Sequence, residues 1–252
     1  MNNMLNTVCE AEYKLIIVML LLPSVRVTEQ DFICAILHRD NVQQPQHRFQ
    51  HETDTGASKL LMTPMRDATV AGPALRAAHR RTGNYLAIKY LIDTIGSEEF
   101  STRHVQGQTA KRFRLLHEEQ TLIVPLMRGG EPMAQGVSKA FPLAALVHAH
   151  APTDIDGSYL ESRFTIILVD SVVNSGKTIL QFVQHIRKLR GSIRIVIIAG
   201  VIQAQFLNLD FTGVLVPYEH LDFVAIRLST NKYTGKGTTD TGNRLFNTTY
   251  LR

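Results

Sequence analysis

An acid, a short glycine-containing turn and a helix start stand together in Phe164 to Leu180, FTIILVDSVVNSGKTIL. Asp170 closes an apolar run, Asn174-Ser175-Gly176 forms a small polar turn, and Lys177-Thr178 lead into a helical pattern. Backbone N–H groups in such a turn, with a helix dipole behind them, favour an anion. A bare phosphate cradle needs no carboxylate, so Asp170 has other work: accepting from sugar hydroxyls or holding Mg²⁺. Phosphate, sugar and metal together point to a phosphorylated ribose. Two other readings stand beside this one. Gly176-Lys177-Thr178 fits the end of the P-loop NTPase pattern G-x-x-x-x-G-K-[ST], with Ser171 where its first glycine belongs. An ordinary α/β loop holding Ser, Gly and Lys is the third.

Arg128 heads a second constellation, Met127-Arg128-Gly129-Gly130-Glu131-Pro132-Met133, directly after the apolar run Thr121 to Leu126. An arginine on a tight glycine turn at a strand's carboxyl end can grip a diphosphate bidentately. Pairing a helix end or a carboxylate is the plainer role. His148-Ala-His150 offers two imidazoles but no third ligand at a metal-binding spacing, so these histidines read as satisfied or exposed.

These residues need a rigid scaffold. Phe164–Val169 reads as a strand covered on both faces, ending at Asp170, with a helix from Ile179 to Leu189 after it. Ile193–Val201, Val214–Val216 and Phe223–Leu228 read as further strands, and Ala140–Val147 as another apolar segment. A helical segment runs from Ala74 to Leu91, with Gly83 weakening its middle. Apolar runs alternating with helical patterns imply an α/β fold with a parallel, doubly wound sheet, whose ligands gather at the strands' carboxyl ends. The first residues look different. Leu15–Leu22 is apolar but too short to span a membrane, and Asp40–Thr55 is Gln/His-rich and reads as a linker. The expected organisation is an extension over 1–57 and a domain over 58–252. Two cysteines, Cys9 and Cys34, suit a reducing, cytoplasmic setting rather than a disulfide scaffold. A net charge of +5 is too modest to imply a nucleic-acid surface, although its basic clusters would welcome an anionic small molecule.

Four blocks resemble the uracil phosphoribosyltransferases, members of the type I phosphoribosyltransferases. That family reads D-P-M-L-A-T-G-G-T where this chain has Asp170 to Thr178, and V-P-I-L-R-A-G-L-x-M around Arg128. Its opening, L-R-D followed by F-R-x-x-x-x-R-x-G-x-L-L-A-Y-E, is matched at Arg66-Asp67, Leu75-Arg76, Arg81, Gly83, Leu86 and Ala87. Its ending, Y-I-V-P-G-L-G-D-A-G-D-R-I-F-G-T, is matched without a gap at Tyr233, Gly237, Asp240, Gly242, Arg244, Phe246 and Thr248. This last block separates the family from the NTPases, which also want an acid at the end of a second strand. The stretch also resembles the phosphoribosyltransferase-like module of fungal multidomain proteins.

The resemblance implies an α/β domain of the type I phosphoribosyltransferase kind and a reaction: uracil and 5-phosphoribosyl-1-diphosphate (PRPP), taken up with Mg²⁺, give UMP and diphosphate. It implies that Asp170, Arg128 and Asp240 serve catalysis. PRPP would be held by Arg128, Gly129, Asp170, Ser171, Asn174, Ser175, Gly176, Lys177, Thr178 and Asp240, and uracil by Thr234, Thr239, Asp240 and Thr241. Mg²⁺ would arrive with PRPP rather than on protein ligands of its own. The expected partners are small-molecule phosphoribosyl compounds and nucleotides, with neither nucleic acid nor membrane; a homo-oligomer stays open. The chain also departs from the pattern. Lys89 and Asn243 replace two acids, and the family's long arm, with a second PRPP arginine, is reduced to Pro152–Ser162. Slow or absent turnover is therefore expected, and a non-catalytic nucleotide sensor or scaffold is the alternative.

Overall fold

The computed structural model describes residues 49–206 and 218–250. Leu15–Leu22, Cys9, Cys34 and Val214–Val216 lie outside them. The core is a six-stranded sheet in which every neighbouring pair is parallel. Its strands are β1 (Phe49–His51), β4 (Thr121–Pro125), β5 (Ala145–Leu146), β6 (Thr165–Val173), β7 (Arg194–Gln203) and β8 (Leu221–Ser229), in the order β1-β8-β7-β6-β4-β5. A separate antiparallel hairpin joins β2 (Ser97–Arg103) to β3 (Thr109–Leu115).

Strands β4, β6 and β7 are buried along nearly their whole length, which is why their sequences are continuous apolar runs. One face presents Ile167, Val169, Val196, Ile198, Val224 and Ile226 to a single cluster. Helices α1 (Gly56–Arg66), α2 (Gly72–Leu86) and α4 (Glu131–Ala140) complete it with Leu61, Leu86, Met133 and Val137. The alternate residues face α6 (Lys177–Leu189), which buries Ile179, Phe182, Val183 and Ile186.

Several boundaries differ from the sequence reading. Strand β6 starts at Thr165, because Phe164 is half exposed and stacks on His117, and it continues four residues past Val169. β7 supplies the ladder that carries it on; Val172 and Val173 still pair with Val201 and Ile202. Strand β7 likewise runs to Gln203. The segment Ala140–Val147 contributes only the two-residue edge strand β5, since α4 occupies its first residue. The helix expected from Ala74 runs as α2, a π turn at Ala87–Leu91, and α3 (Ile92–Ile95). Gly83 is no weak point there. A Cβ on it would stand 2.0 Å from the Met133 carbonyl, so the glycine lets α2 and α4 touch.

Residues 49–51 fall in the stretch read as linker, yet they form the sheet's edge. Phe49 stacks on Phe223 at 4.4 Å, and β8 provides the template that three residues alone could not. Just after them, Glu52 is buried and receives hydrogen bonds from Tyr90 and Thr55 and an ion pair from Lys89. Burial pushes this carboxyl up, but the bonds from Lys89, Tyr90 and Thr55 outweigh it and hold its pKa at about 2. Lys89, which departs from the family pattern, thus fastens the π turn to the residue after β1.

Candidate functional site

The carboxyl edge of the sheet is shaped by close backbone contacts. Beyond β4 the chain follows its neighbours for two more residues, Leu126 N–H donating to Val169 O at 2.9 Å and Met127 N–H to Ala149 O at 2.9 Å. The Met127–Arg128 peptide is cis. A Cβ at Gly130 would stand 1.9 Å from Val169 O, and one at Gly129 would stand 2.7 Å from Ser171 Oγ. Only glycines let this turn lie against β6. Arg128 is thereby carried to the flank of Asp170.

Asp170 pairs in register with Ala199 of β7, but β4 has already ended at Pro125, opposite Val169. It is the first β6 residue with an open side, and that opening faces Gly129. Burial drives its carboxyl up to about 7, against backbone hydrogen bonds from Ser171 and Val172 that favour the charged form. An acid so displaced is a group waiting for a partner.

Past Val173 only Asn174, Ser175 and Gly176 join β6 to α6. Gly176 has φ of 71°, and a Cβ on it would stand 2.0 Å from the Phe206 ring, so glycine is required twice over. It caps α6 without a side-chain hydrogen bond, leaving the first-turn N–H groups uncapped by any side chain. Asn174 Oδ1 is buried without a partner.

The tail closes the fourth side. Lys236–Asp240 make a tight 3₁₀ turn, and Asp240 caps α7 (Thr241–Phe246) by accepting from Asn243 N–H at 2.8 Å. Three arginines pin this helix. Arg76 donates to Leu245 O at 2.7 Å. Arg244 spans the α1–α2 turn, donating to Met65 O at 3.1 Å, Asp67 O at 2.6 Å and Val70 O at 2.9 Å. Arg128 donates to Asn243 Oδ1 at 2.8 Å and Thr248 Oγ1 at 3.3 Å. Asn243, where the family pattern has an aspartate, is thus an acceptor for Arg128.

A cavity of about 550 Å³ lies among these elements. Arg128, Gly129, Asp170, Ser171 and Asn174 line it from the sheet, and Thr234, Asp240 and Thr241 from the tail. The other expected residues are not part of its wall. Lys177 and Thr178 are exposed on the first turn of α6, and Ser175 is exposed in the turn before it. Gly176 is committed to Phe206, and Thr239 to the tail turn, where its hydroxyl accepts from Lys236 N–H at 2.9 Å. Lys232, Tyr233 and Lys236 line the cavity without having been singled out as ligands. Their signal was positional, since basic residues flank the tail motif on both sides of Tyr233. With Arg128 they give the cavity three cations against Asp170 and Asp240, a balance that suits a polyanion.

The NTPase reading fails on geometry. Ser171 lies within β6, so three residues connect strand and helix, too few to wrap a triphosphate as G-x-x-x-x-G-K does. Arg163 does not replace the missing second arginine. It donates to Glu119 O at 2.7 Å at the amino end of β6, a full strand away from Asp170. His148 and His150 are exposed, and no cluster of three metal-ligating side chains occurs among the described residues. Nor does any described helix have the length and apolarity to cross a membrane.

No curated protein matches the chain by sequence. A solved structure of the AQ2163 protein from Aquifex aeolicus shares the fold, with a TM-score of 0.58 at 17% identity, covering 77% of this chain and 96% of that one. The adenine phosphoribosyltransferase of Leishmania donovani aligns with a TM-score of 0.44 at 12% identity, over 77% of this chain and 92% of its own. The parallel α/β fold is the one expected of a type I phosphoribosyltransferase, and the family match agrees with it. The model of the uracil phosphoribosyltransferase family matches residues 52–248, from Glu52 beside β1 through the arginine-pinned tail. The chain belongs to the uracil phosphoribosyltransferase family.

Proposed function

We propose that this protein binds PRPP and uracil nucleotides in the 550 Å³ cavity and transfers phosphoribose to uracil slowly, as in pyrimidine salvage. The observation that carries the reading is the convergence of Arg128, Asp170, Asn174 and the tail on one cationic cavity. Arg128 takes the diphosphate, Asp170 the ribose hydroxyls, Asn174 the 5′-phosphate, and Thr234, Asp240 and Thr241 the base side. Uracil N1 bonds to C1′ as the C1′–O bond to diphosphate breaks, and the N1 proton leaves to solvent. With only Asp170 and Asp240 as carboxylates in the wall, Mg²⁺ fits as an ion held mainly by ligand oxygens and water. Beside Asp170 and Asp240 such an ion would supply positive charge to offset that of the diphosphate. The protein's own contribution is positioning and charge stabilisation.

Slow turnover follows from two features. The segment Pro152–Ser162 folds into a 3₁₀ turn at Pro152–Asp154 and the one-turn helix α5 (Gly157–Leu160), with no arginine in it. Arg128, the remaining diphosphate grip, must exchange Asn243 and Thr248 for its ligand. One missing charge contact in a transition state commonly costs about 10²–10³ in rate. The test is UMP formation from saturating uracil and Mg²⁺-PRPP, beside calorimetric PRPP binding. Binding with turnover well below 10 s⁻¹ is expected; turnover near that enzyme median of roughly 10 s⁻¹ overturns the slow-transfer part, and absence of PRPP binding overturns the whole.

A further inference from the structure

A second compartment of about 350 Å³ opens beside the first and shares Ser171, Val172, Lys232, Tyr233 and Thr241 with it. Its inner wall is apolar, with Met62, Met65, Leu75 and Val201, and its rim carries Arg66 and Lys232. One buried polar ring lines it, His79 of α2, which is 2% exposed. His79 Nδ1 lies 2.9 Å from the Leu75 carbonyl. A carbonyl can only accept, so Nδ1 carries the proton and Nε2 is left as a bare acceptor. Nε2 makes no hydrogen bond among the described residues. The unpartnered buried side-chain atoms that the described residues enclose completely are Asn174 Oδ1, Arg187 Nε and Arg244 Nε. His79 Nε2 is not among them, so it retains a small opening, and His79 belongs to the compartment's lining.

We infer that His79 is a specificity-determining residue: its Nε2 accepts the ring N–H of a lactam or imide base that reaches past the shared Thr241 into the second compartment, while its ribose phosphate stays in the first cavity. This rests on the phosphoribosyl reading of that cavity. The chemistry of the wall selects the class. A flat ring needs apolar cover, which the thioethers and Val201 give. A ring N–H flanked by carbonyls needs one acceptor with donors around it, and His79 with the rim cations Lys232 and Arg66 provides that pattern. A base presenting a bare ring nitrogen at the same point would set two acceptors against each other. The imidazole is reliably neutral, since burial lowers its pKa to about 4. Nothing else on α2 uses Nε2, whereas Thr82 and Arg76 on the same helix have protein partners.

The experiment titrates UMP, 3-methyl-UMP and ribose 5-phosphate into the full chain and into His79→Leu and His79→Gln by calorimetry. The parent protein is expected to bind UMP at least tenfold tighter than the N3-methylated nucleotide. His79→Leu should lose about tenfold for UMP and erase that preference, leaving ribose 5-phosphate unchanged, while His79→Gln, which keeps an acceptor, should restore part of both. A His79→Leu protein with the parent's UMP preference overturns the inference and leaves the phosphoribosyl site standing. Equal binding of UMP and 3-methyl-UMP by the parent does the same without any variant. If the parent binds neither ribose 5-phosphate nor PRPP, the reading of the first cavity falls and this inference with it.

Discussion

Replacing Asp170 by asparagine should make the protein more stable and worse at binding PRPP, with a stability gain that depends on pH. The carboxyl is carried from an ordinary 3.8 to about 7 by burial. Below about pH 4 both folded and unfolded chains hold the proton, and the residue costs nothing. Between about pH 4 and 7 the unfolded chain has lost a proton that the folded protein keeps, so stability falls as pH rises; above 7 the cost is complete. About three pH units at about 1.4 kcal/mol each set a ceiling of about 4 kcal/mol. The open cavity screens part of it, and about 1–3 kcal/mol is the expected advantage of the variant at pH 8. For a domain of this size that is a rise of roughly 2–10 °C in Tm. Urea denaturation of both proteins at pH 5, 6, 7 and 8 reads the effect, with the gap widening through the series. PRPP affinity should fall by about 1.5–3 kcal/mol, the worth of a charge-assisted hydrogen bond. A gap that stays constant with pH, or a variant less stable than its parent at pH 8, refutes the account of Asp170.

Arg128→Ala should weaken PRPP and diphosphate more than UMP in calorimetry, because only the former reach the glycine turn; equal losses contradict the assignment. Lys89→Ala removes the cation from the buried Glu52 carboxylate and leaves it only neutral hydroxyl partners, and is expected to cost about 1–3 kcal/mol in urea denaturation at pH 7. That loss should shrink as pH falls from about 4.5 toward the Glu52 pKa of about 2, since protonation removes the same interaction. Gly83→Ala must part α2 from α4 or bend one of them, and should cost about 2 kcal/mol or more, while Gly191→Ala, with nothing within 4 Å of its new methyl, should be nearly silent.

What could be read in the sequence was what local chemistry determines. The runs TIILVD and RIVIIAGV can only be strands covered on both faces, and the structure buries them so. Arg128-Gly129-Gly130 announced a tight turn because two adjacent glycines after a strand have little other purpose. Where partners decide, the sequence was mute. The end of β6 depends on β7, so Asp170 reads as terminal yet lies inside the strand. Lys177 and Thr178 match a phosphate motif by type, but the length of β6 turns them outward onto α6. The hairpin β2–β3 is exposed at most positions, and its Arg112 and Arg114 stack over Phe100 rather than joining an apolar core. His79 carried no signal at all, because its meaning lies in a carbonyl one turn earlier and a space across the sheet's edge.

The edge strand β1 also bears on how the molecule comes into being. Its partner β8 lies far along the chain; the link between Leu228 N–H and Thr53 Oγ1 spans 175 positions. On a ribosome adding about 5–20 residues per second, the segment around Phe49 therefore waits on the order of ten seconds or more for its template. During that interval the nascent sheet has no place for it, and Glu52 has Lys89 and Tyr90 as its first anchors. This edge of the sheet can close only once β8 has been made.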